Sequence, residues 1–270
     1  MPPAERPHDP RITVIQQELF DERKSKVAKY QDLVVGRPGW AALIAYELVM
    51  LTASWVPGAL GLFLRSKLYP MVIGRVGRNV VFGANVTLRH PHKIAIGDNV
   101  VIDDQCCLDA KGTDNRGIRI GHGVFVGRNT ILSCKNGDIV LEDRANLGFN
   151  CEIFSASTVR VGADVLMAAY TSLVGGDHLY DRTDIPVLQQ GRTARGIDVG
   201  AGVWLGTHVV VTDGARIGRD AIIGAGAVVV GEVPEFAIAV GTPARVLRDR
   251  RDQAPAGAAD PAAAAGRSPS

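Results

Sequence analysis

From Val76 onward, aliphatic residues recur in trios spaced six apart: Val76, Phe82, Leu88; Ile96, Ile102, Leu108; Ile120, Val126, Leu132; Leu141, Leu147, Ile153; Val161, Met167, Leu173; Val199, Leu205, Val211; Ile217, Ile223, Val229. Four residues after most of these sits a second, smaller residue: Val80, Val86, Val100, Cys106, Val124, Thr130, Ala145, Cys151, Val165, Thr171, Val203, Val209, Ala215, Ala221 and Ala227. Glycine often follows the aliphatic, as in Ile96-Gly97, Leu147-Gly148 and Leu205-Gly206. This hexapeptide repeat predicts a short strand and a turn per unit, with one aliphatic in the axis of a prism. Three units then close a triangular coil of roughly 18 residues. The residues in excess of six between successive trios number 2, 6, 3, 2, 20 and 0. Every insertion therefore falls at one phase of the coil, which is one corner of the prism. Seven coils stacked at about 4.8 Å give a rod some 30 Å long.

Outside the repeat the pattern changes. Residues 11–35 carry Ile12, Ile15, Leu19, Val27, Tyr30 and Val34 at roughly helical spacing, which predicts an amphipathic helix broken at Gly36 to Gly39. Residues 40–64 hold a single charge, Glu47, between Arg37 on one side and Arg65 and Lys67 on the other. That length could span a bilayer. Glu47 would be costly there, however, and Pro57-Gly58 with Gly61 divides the run into two shorter helices. The run also starts too late for a cleavable signal. Two readings stay open: helices packed on the main domain or a partner subunit, or a peripheral membrane contact through 40–64. The expected organisation is disordered residues 1–10, a helical region 11–71, a β-helix over 72–232 with a long loop 174–198, a C-terminal segment 233–250, and a disordered tail 251–270 poor in large apolar groups.

Composition agrees with a core of small aliphatics and tight turns: 31 glycines stand against 7 Phe, 5 Tyr and 3 Trp. Thirty basic and 28 acidic residues leave a net charge of +2, scattered along the chain, so no nucleic-acid partner is expected. Cys106, Cys107, Cys134 and Cys151 form neither a CxxC pair nor a dense framework and read as reduced thiols in a cytoplasmic setting. Cys106 and Cys151 fall on small inward positions, and nothing near Cys107 would activate it. His90 and His92 sit in a corner insertion, while His122 and His208 occupy turns. No metal set is expected from them.

Val199-Gly200-Ala201-Gly202-Val203-Trp204-Leu205-Gly206, Ile223-Gly224-Ala225-Gly226-Ala227-Val228-Val229 and Val240-Gly241-Thr242-Pro243-Ala244-Arg245-Val246-Leu247-Arg248 resemble the closing coils of the hexapeptide-repeat acyltransferases, in the branch of the maltose and galactoside O-acetyltransferases. The resemblance covers about Val76 to Arg248. It implies a left-handed parallel β-helix, an all-β fold, assembled as a homotrimer that uses acetyl-CoA as co-substrate. In that family a loop like 174–198 carries the catalytic histidine, and His178 falls on that position; Asp181 or Asp177 could orient its ring. The family pattern places Gly206, Thr207, Ala225 and Val230 along the pantetheine arm, and Arg245 and Arg248 at the phosphates. It sets Trp204 either at the ligand or at a subunit interface.

The acceptor side departs from the pattern. Gly148 and Ala156 stand where sugar acetyltransferases of this branch supply an asparagine and an aspartate, and Asn146, Asn150 and Ser155 are the nearby substitutes. That puts a simple maltose or galactoside acceptor in doubt, and the 40–64 segment looks more like a feature of surface-polysaccharide or lipid-linked glycan pathways. The expected function is an acyl-CoA-dependent O-acyltransferase acting on a sugar or glycan-pathway hydroxyl. Alternatives are N-acetylation of an amino sugar, O-acetylation of an antibiotic, and a non-enzymatic β-helix scaffold. A scaffold would need neither His178 nor the Arg245/Arg248 signature.

Overall fold

The structure is a computed structural model describing residues 22–252. The expected disordered segment 1–10, the first part of the 11–35 helix and nearly all of the 251–270 tail lie outside the described residues. The repeat folds as a left-handed parallel β-helix with three faces. Face A stacks eight short strands from Arg75–Val76 to Glu232–Val233. Face B runs from Val81–Phe82 to Ala237–Val240 and ends with Arg245–Asp249 as a ninth strand. Face C has seven, from Thr87–Arg89 to Val228–Val229.

What closes each coil is a backbone requirement. The residue before each small inward side chain is left-handed: Asn79, Asn85, Asn99, Gln105, Asn129, Arg144, Asn150, Asp164, Tyr170, His208 and Asp220 have φ between 54° and 62°, and Gly123, Gly202, Gly214 and Gly226 take the same role. L-residues avoid this region unless, like Asn, Asp and Gly, they tolerate it. The small residue that follows then turns into the axis, and all fifteen of the smaller inward residues are buried. Every aliphatic of the repeat except Val76 is buried as well. In-register stacking makes them columns: Leu88, Leu108, Leu132, Ile153, Leu173, Val211 and Val229 pair in sequence along face C.

All the insertions lie at the corner between faces C and A, as their common phase predicts. The seven expected coils are followed by two thirds of an eighth. Ile217 pairs with Val233 and Ile223 with Ala239, so coil structure continues past the expected end at 232. Gly241 to Ala244 then reverses the chain, and Arg245–Asp249 pairs antiparallel with Ala237–Val240.

The helical region caps the first coil. Helix α1 (Lys26–Tyr30) continues as a π-helical turn, Gln31–Val35, which Gly36 ends at φ 74°. Helices α2 (Trp40–Ala53) and α3 (Gly58–Leu68) are the two expected pieces of the apolar segment, parted at Pro57. Val49, Ala53, Tyr69 and Ile73 join the axial core. Arg65, 2% exposed, makes the joint: its Nε donates to Phe82 O at 2.8 Å, and its Nη1 donates to Val56 O at 2.7 Å and Ala53 O at 3.1 Å. Tyr69 packs edge-on against Phe82, and the Tyr46 hydroxyl donates to Leu88 O at 2.7 Å. Gly36 fits between the rings of His90 and His92, where an added Cβ would meet His90 Cγ at 2.5 Å and His92 Cε1 at 2.8 Å.

Arg65→Met removes the donor from three carbonyls, one at the end of α2, one between the two helices and one on the coil, and is expected to cost about 3 kcal/mol in urea unfolding. A loss below about 0.5 kcal/mol would mean the joint is held by packing alone. Burial, with Arg37 and His90 beside it, holds the His92 ring down to about 4 from its ordinary 6.5. The unfolded chain therefore takes up the proton first, so this contribution is complete above about pH 6.5 and is lost as the pH falls toward 4. The urea midpoint of wild type should drop more steeply across that window than that of His92→Gln.

Candidate active site

At the C–A corner one excursion differs from the rest. Ser172–Gly175 enters as a face-C strand, and Ile197–Val199 resumes on face A. Between them Asp177–His178 pairs antiparallel with Arg192–Thr193, with His178 opposite Arg192. The excursion is thus a built ribbon. Its tip is tied by Gln190, whose Nε2 donates to Arg182 O at 2.6 Å and whose Oε1 accepts from Arg182 N at 2.9 Å.

Both feet of the ribbon are tight. On entry, a Cβ at Gly176 would come within 2.7 Å of Ala156 Cβ, so the chain passes directly over the corner of the preceding coil. On exit, Asp213, 4% exposed, accepts from the amides of Arg195 (2.8 Å) and Gly196 (2.9 Å), and Arg195 Nη2 donates to Asp213 O at 2.9 Å. Sequence reasoning missed Asp213. Its only signal was a carboxylate at a corner where the neighbouring coil carries the longest insertion.

His178 is partly buried, and its Nδ1 is buried with no hydrogen-bond partner among the described residues. Neither expected orienting carboxylate reaches the ring. Asp177 Oδ1 accepts from the His178 backbone N–H at 2.8 Å, and Asp181 is exposed in the ribbon. This corrects the expectation for both. An aspartate next to the histidine in sequence is better placed to satisfy the backbone than to curl around to the side chain.

Ser155 is also corrected. It is fully buried, and its hydroxyl lies 2.6 Å from Asp138 O and 3.0 Å from Ser157 O, closing the turn rather than facing an acceptor. Asn150 is the left-handed residue of the B–C corner, and Asn146 lies on the outer side of face B, so neither shares the corner of His178. What does lead up to the ribbon is a column on the outer edge of face C: Asp109, Ser133, Phe154 and Val174 pair in register, with Lys135 Nζ 5.9 Å from the Phe154 ring. The alternation of short strands gave no hint that this column ends beneath the loop.

The residues assigned to the donor divide between two edges of face C. Gly206, Thr207 and Ala225 stack at the B–C corner, whereas Val230 lies at the C–A corner with His178. The glycine at 206 is required by the coil itself, since a Cβ there would lie 2.7 Å from the Ala225 amide nitrogen. Thr207 Oγ1 donates to Ala169 O at 2.8 Å, and Gly226 N donates to Thr207 O at 2.9 Å. Trp204, 48% exposed, lies in one outward column of face B with Ile222, Ile238 and Arg248, and Arg245 and Arg248 are both exposed on the last strand. Small side chains along an exposed corner, with guanidinium groups near one end, suit an extended ligand ending in phosphates.

The thiols take no part in this arrangement. Burial pushes Cys106 and Cys134 up to about 12 and raises Cys107 and Cys151 as well, so all four are held as neutral thiols. Among the described residues, no three His, Cys, Asp or Glu side chains gather as they would around a metal ion.

The chain is similar to known proteins in sequence and in fold. The family described as the hexapeptide repeat of succinyl-transferase matches residues 75–103 and 196–230. A probable acetyltransferase of Mycobacterium tuberculosis is 32% identical over 134 residues, 50% of this chain and 45% of that protein. The galactoside O-acetyltransferase of Escherichia coli is 34% identical over 110 residues, 39% of this chain and 51% of that protein. The chain thus spans about half the length of these curated relatives. The structure of AntD, an N-acyltransferase from Bacillus cereus in complex with dTDP and coenzyme A, matches with a TM-score of 0.50 at 21% identity over 73% of this chain and 91% of that one, a likeness of fold. In its repeat, its three-faced coil and these relatives, the chain is similar to the hexapeptide-repeat acyltransferases.

Proposed function

We propose that this protein is an acetyl-CoA-dependent O-acyltransferase acting on a hydroxyl of a sugar or glycan-pathway intermediate, and that it works as a homotrimer. The observation that carries the reading is His178. The one long excursion of an otherwise regular solenoid is anchored at both feet and presents an imidazole whose Nδ1 has no hydrogen-bond partner among the described residues. A rigid scaffold holding one such group on a protruding ribbon is how general bases are presented.

In the proposed reaction the His178 imidazole takes the proton of the acceptor hydroxyl as its oxygen attacks the thioester carbonyl. A carbon–oxygen bond forms, and backbone amides stabilise the tetrahedral oxyanion. Collapse breaks the carbon–sulfur bond, and the departing thiolate receives the proton from the imidazolium, which returns the ring to its starting state. The acceptor approaches along the Phe154 column, where an aromatic ring and the Lys135 ammonium offer stacking and hydrogen bonding to a sugar.

Gly206, Thr207 and Ala225 stand at the other edge of face C from His178, so a trimer would complete the site by setting the C–A corner of one subunit against the B–C corner of the next. A neighbour would then also supply what the His178 Nδ1 lacks.

The test is transfer from acetyl-CoA to a panel of sugars, nucleotide sugars and amino sugars. His178→Ala should lower kcat by about a thousandfold while acetyl-CoA affinity, measured by calorimetry, stays within about twofold. Undiminished transfer by that variant would remove His178 from the chemistry. Failure of the folded wild type to bind any acyl-CoA would overturn the donor assignment, and exclusive turnover of amino sugars would shift the reading to N-acylation. Asp213→Ala should lower kcat about tenfold or more with donor binding retained, and Asp213→Asn, which keeps one acceptor oxygen, should restore part of it.

A further inference from the structure

The side of α2 turned away from the coils is apolar along its whole length. Trp40, Ile44, Leu48, Leu51 and Trp55 follow one another at intervals of three or four, which aligns them in one stripe, and they are 52% to 69% exposed. The opposite side, Tyr46, Val49 and Ala53, is the one buried against the first coil. Helix α3 adds Leu60 and Phe63, also exposed, beside its buried Gly61 and Arg65.

Most polar groups of this surface are already used. Thr52 Oγ1 donates to Leu48 O at 2.6 Å, Trp55 Nε1 to Leu51 O at 2.7 Å, and Ser66 Oγ to Phe63 O at 2.7 Å. Glu47, the sole carboxylate of the segment, accepts from the Tyr30 hydroxyl at 2.5 Å. A protein interface of this size would be expected to offer several free donors and acceptors, whereas a lipid surface needs none.

The charge around the patch is one-sided. Between residues 22 and 71, seven basic side chains stand against three acidic ones. Lys67 Nζ lies 5.9 Å from the Phe63 ring at the rim of the apolar surface, and Arg37 is exposed just before Trp40. A groove of about 330 Å³ on the adjoining coils is lined by Arg75, Lys93, Arg116 and Arg119. Its single carboxylate, Asp138, already accepts from the amides of Arg116 and Gly117.

We propose that this end of the prism docks on an anionic lipid surface. The Trp40 to Trp55 stripe with Leu60 and Phe63 lies in the headgroup region, and Arg37, Lys67 and the basic groove meet lipid phosphates. The contact is interfacial, since α2 buries Tyr46, Val49 and Ala53 against the first coil and no single described helix is long and apolar enough to cross a membrane. The patch sits on the cap of the first coil, away from the His178 ribbon. The inference is independent of the proposed acyl transfer; in a ring of parallel prisms, three such patches would face the same side and bind together.

The test is co-sedimentation of the full chain with phosphatidylcholine vesicles, with and without about 30% phosphatidylglycerol, at about 0.1 M salt. Wild type should partition onto the anionic vesicles. Leu48→Glu/Leu51→Glu, at exposed positions, should reduce partition by at least about tenfold with an unchanged thermal midpoint. Arg37→Glu/Lys67→Glu should weaken binding to the anionic vesicles and leave any residual binding to neutral ones as it was. In a Trp204→Phe background only Trp40 and Trp55 emit, and their fluorescence should shift to the blue on anionic vesicles. Absence of vesicle binding by wild type, or equal sedimentation of Leu48→Glu/Leu51→Glu, would overturn the proposal. So would association of rings without lipid that the same double variant abolishes, because a second copy would then be what covers the patch.

Discussion

Each A–B and B–C corner of the prism requires one residue in the left-handed region, and the side chain after it must be small enough to turn into the axis. Asn79-Val80, Asn99-Val100, Asp164-Val165 and Gly226-Ala227 are the same device repeated, and in each the backbone bend and the inward packing are one event. Bulky residues such as Tyr170, Arg144 and His208 are carried through the same conformation because the coils above and below leave no alternative. Tyr170 and His208 even stack, with centroids 4.9 Å apart, as consecutive members of one corner column. The fold is in this sense one-dimensional: a coil is satisfied by its two neighbours, and strain in one corner is shared along the stack.

That regularity decides where chemistry can sit. Two of the three corners are locked by stacking, as at Gly206, where the backbone of the next coil excludes any side chain. Only the C–A corner accepts extra residues without disturbing the faces, and it takes all of them, from the short turn at Pro91–Lys93 to the ribbon bearing His178. The ribbon is precise because its feet belong to the scaffold, Gly176 on Ala156 and the Arg195 and Gly196 amides on Asp213. Gly206, Thr207 and Ala225 lie at the opposite edge of face C from this ribbon, and assembly around a three-fold axis would bring such edges together.

The first coil exposes the end of the apolar axis, and the helices close it. A buried guanidinium bonded only to carbonyls is a costly element, tolerable here because Phe82, Ala53 and Val56 would otherwise have unpaired oxygens at the junction. Capping uses one side of α2 and leaves the other as hydrophobic as the first. That two-sided character separates this cap from a polar terminal repeat.

The six-residue period, the inward residues and the single corner of insertion were legible because they depend on contacts between neighbouring coils, which a local pattern records. His178 was legible because it lies on the longest interruption. The eighth coil was hidden: its corner is two residues shorter than the repeat, and its inward residue on face B is Ala239, too small to stand out. Ser155 looked like an acceptor ligand and proved to be a turn closure, and Asp177 serves a backbone amide rather than the imidazole. The carboxylate that holds the ribbon is Asp213, a coil further on. The sequence by itself determined the solenoid, its corners and its one long excursion, since each follows from spacing along the chain. Only the tertiary structure decided what each polar side chain bonds to, because that depends on residues 17 to 58 positions apart being brought within 3 Å.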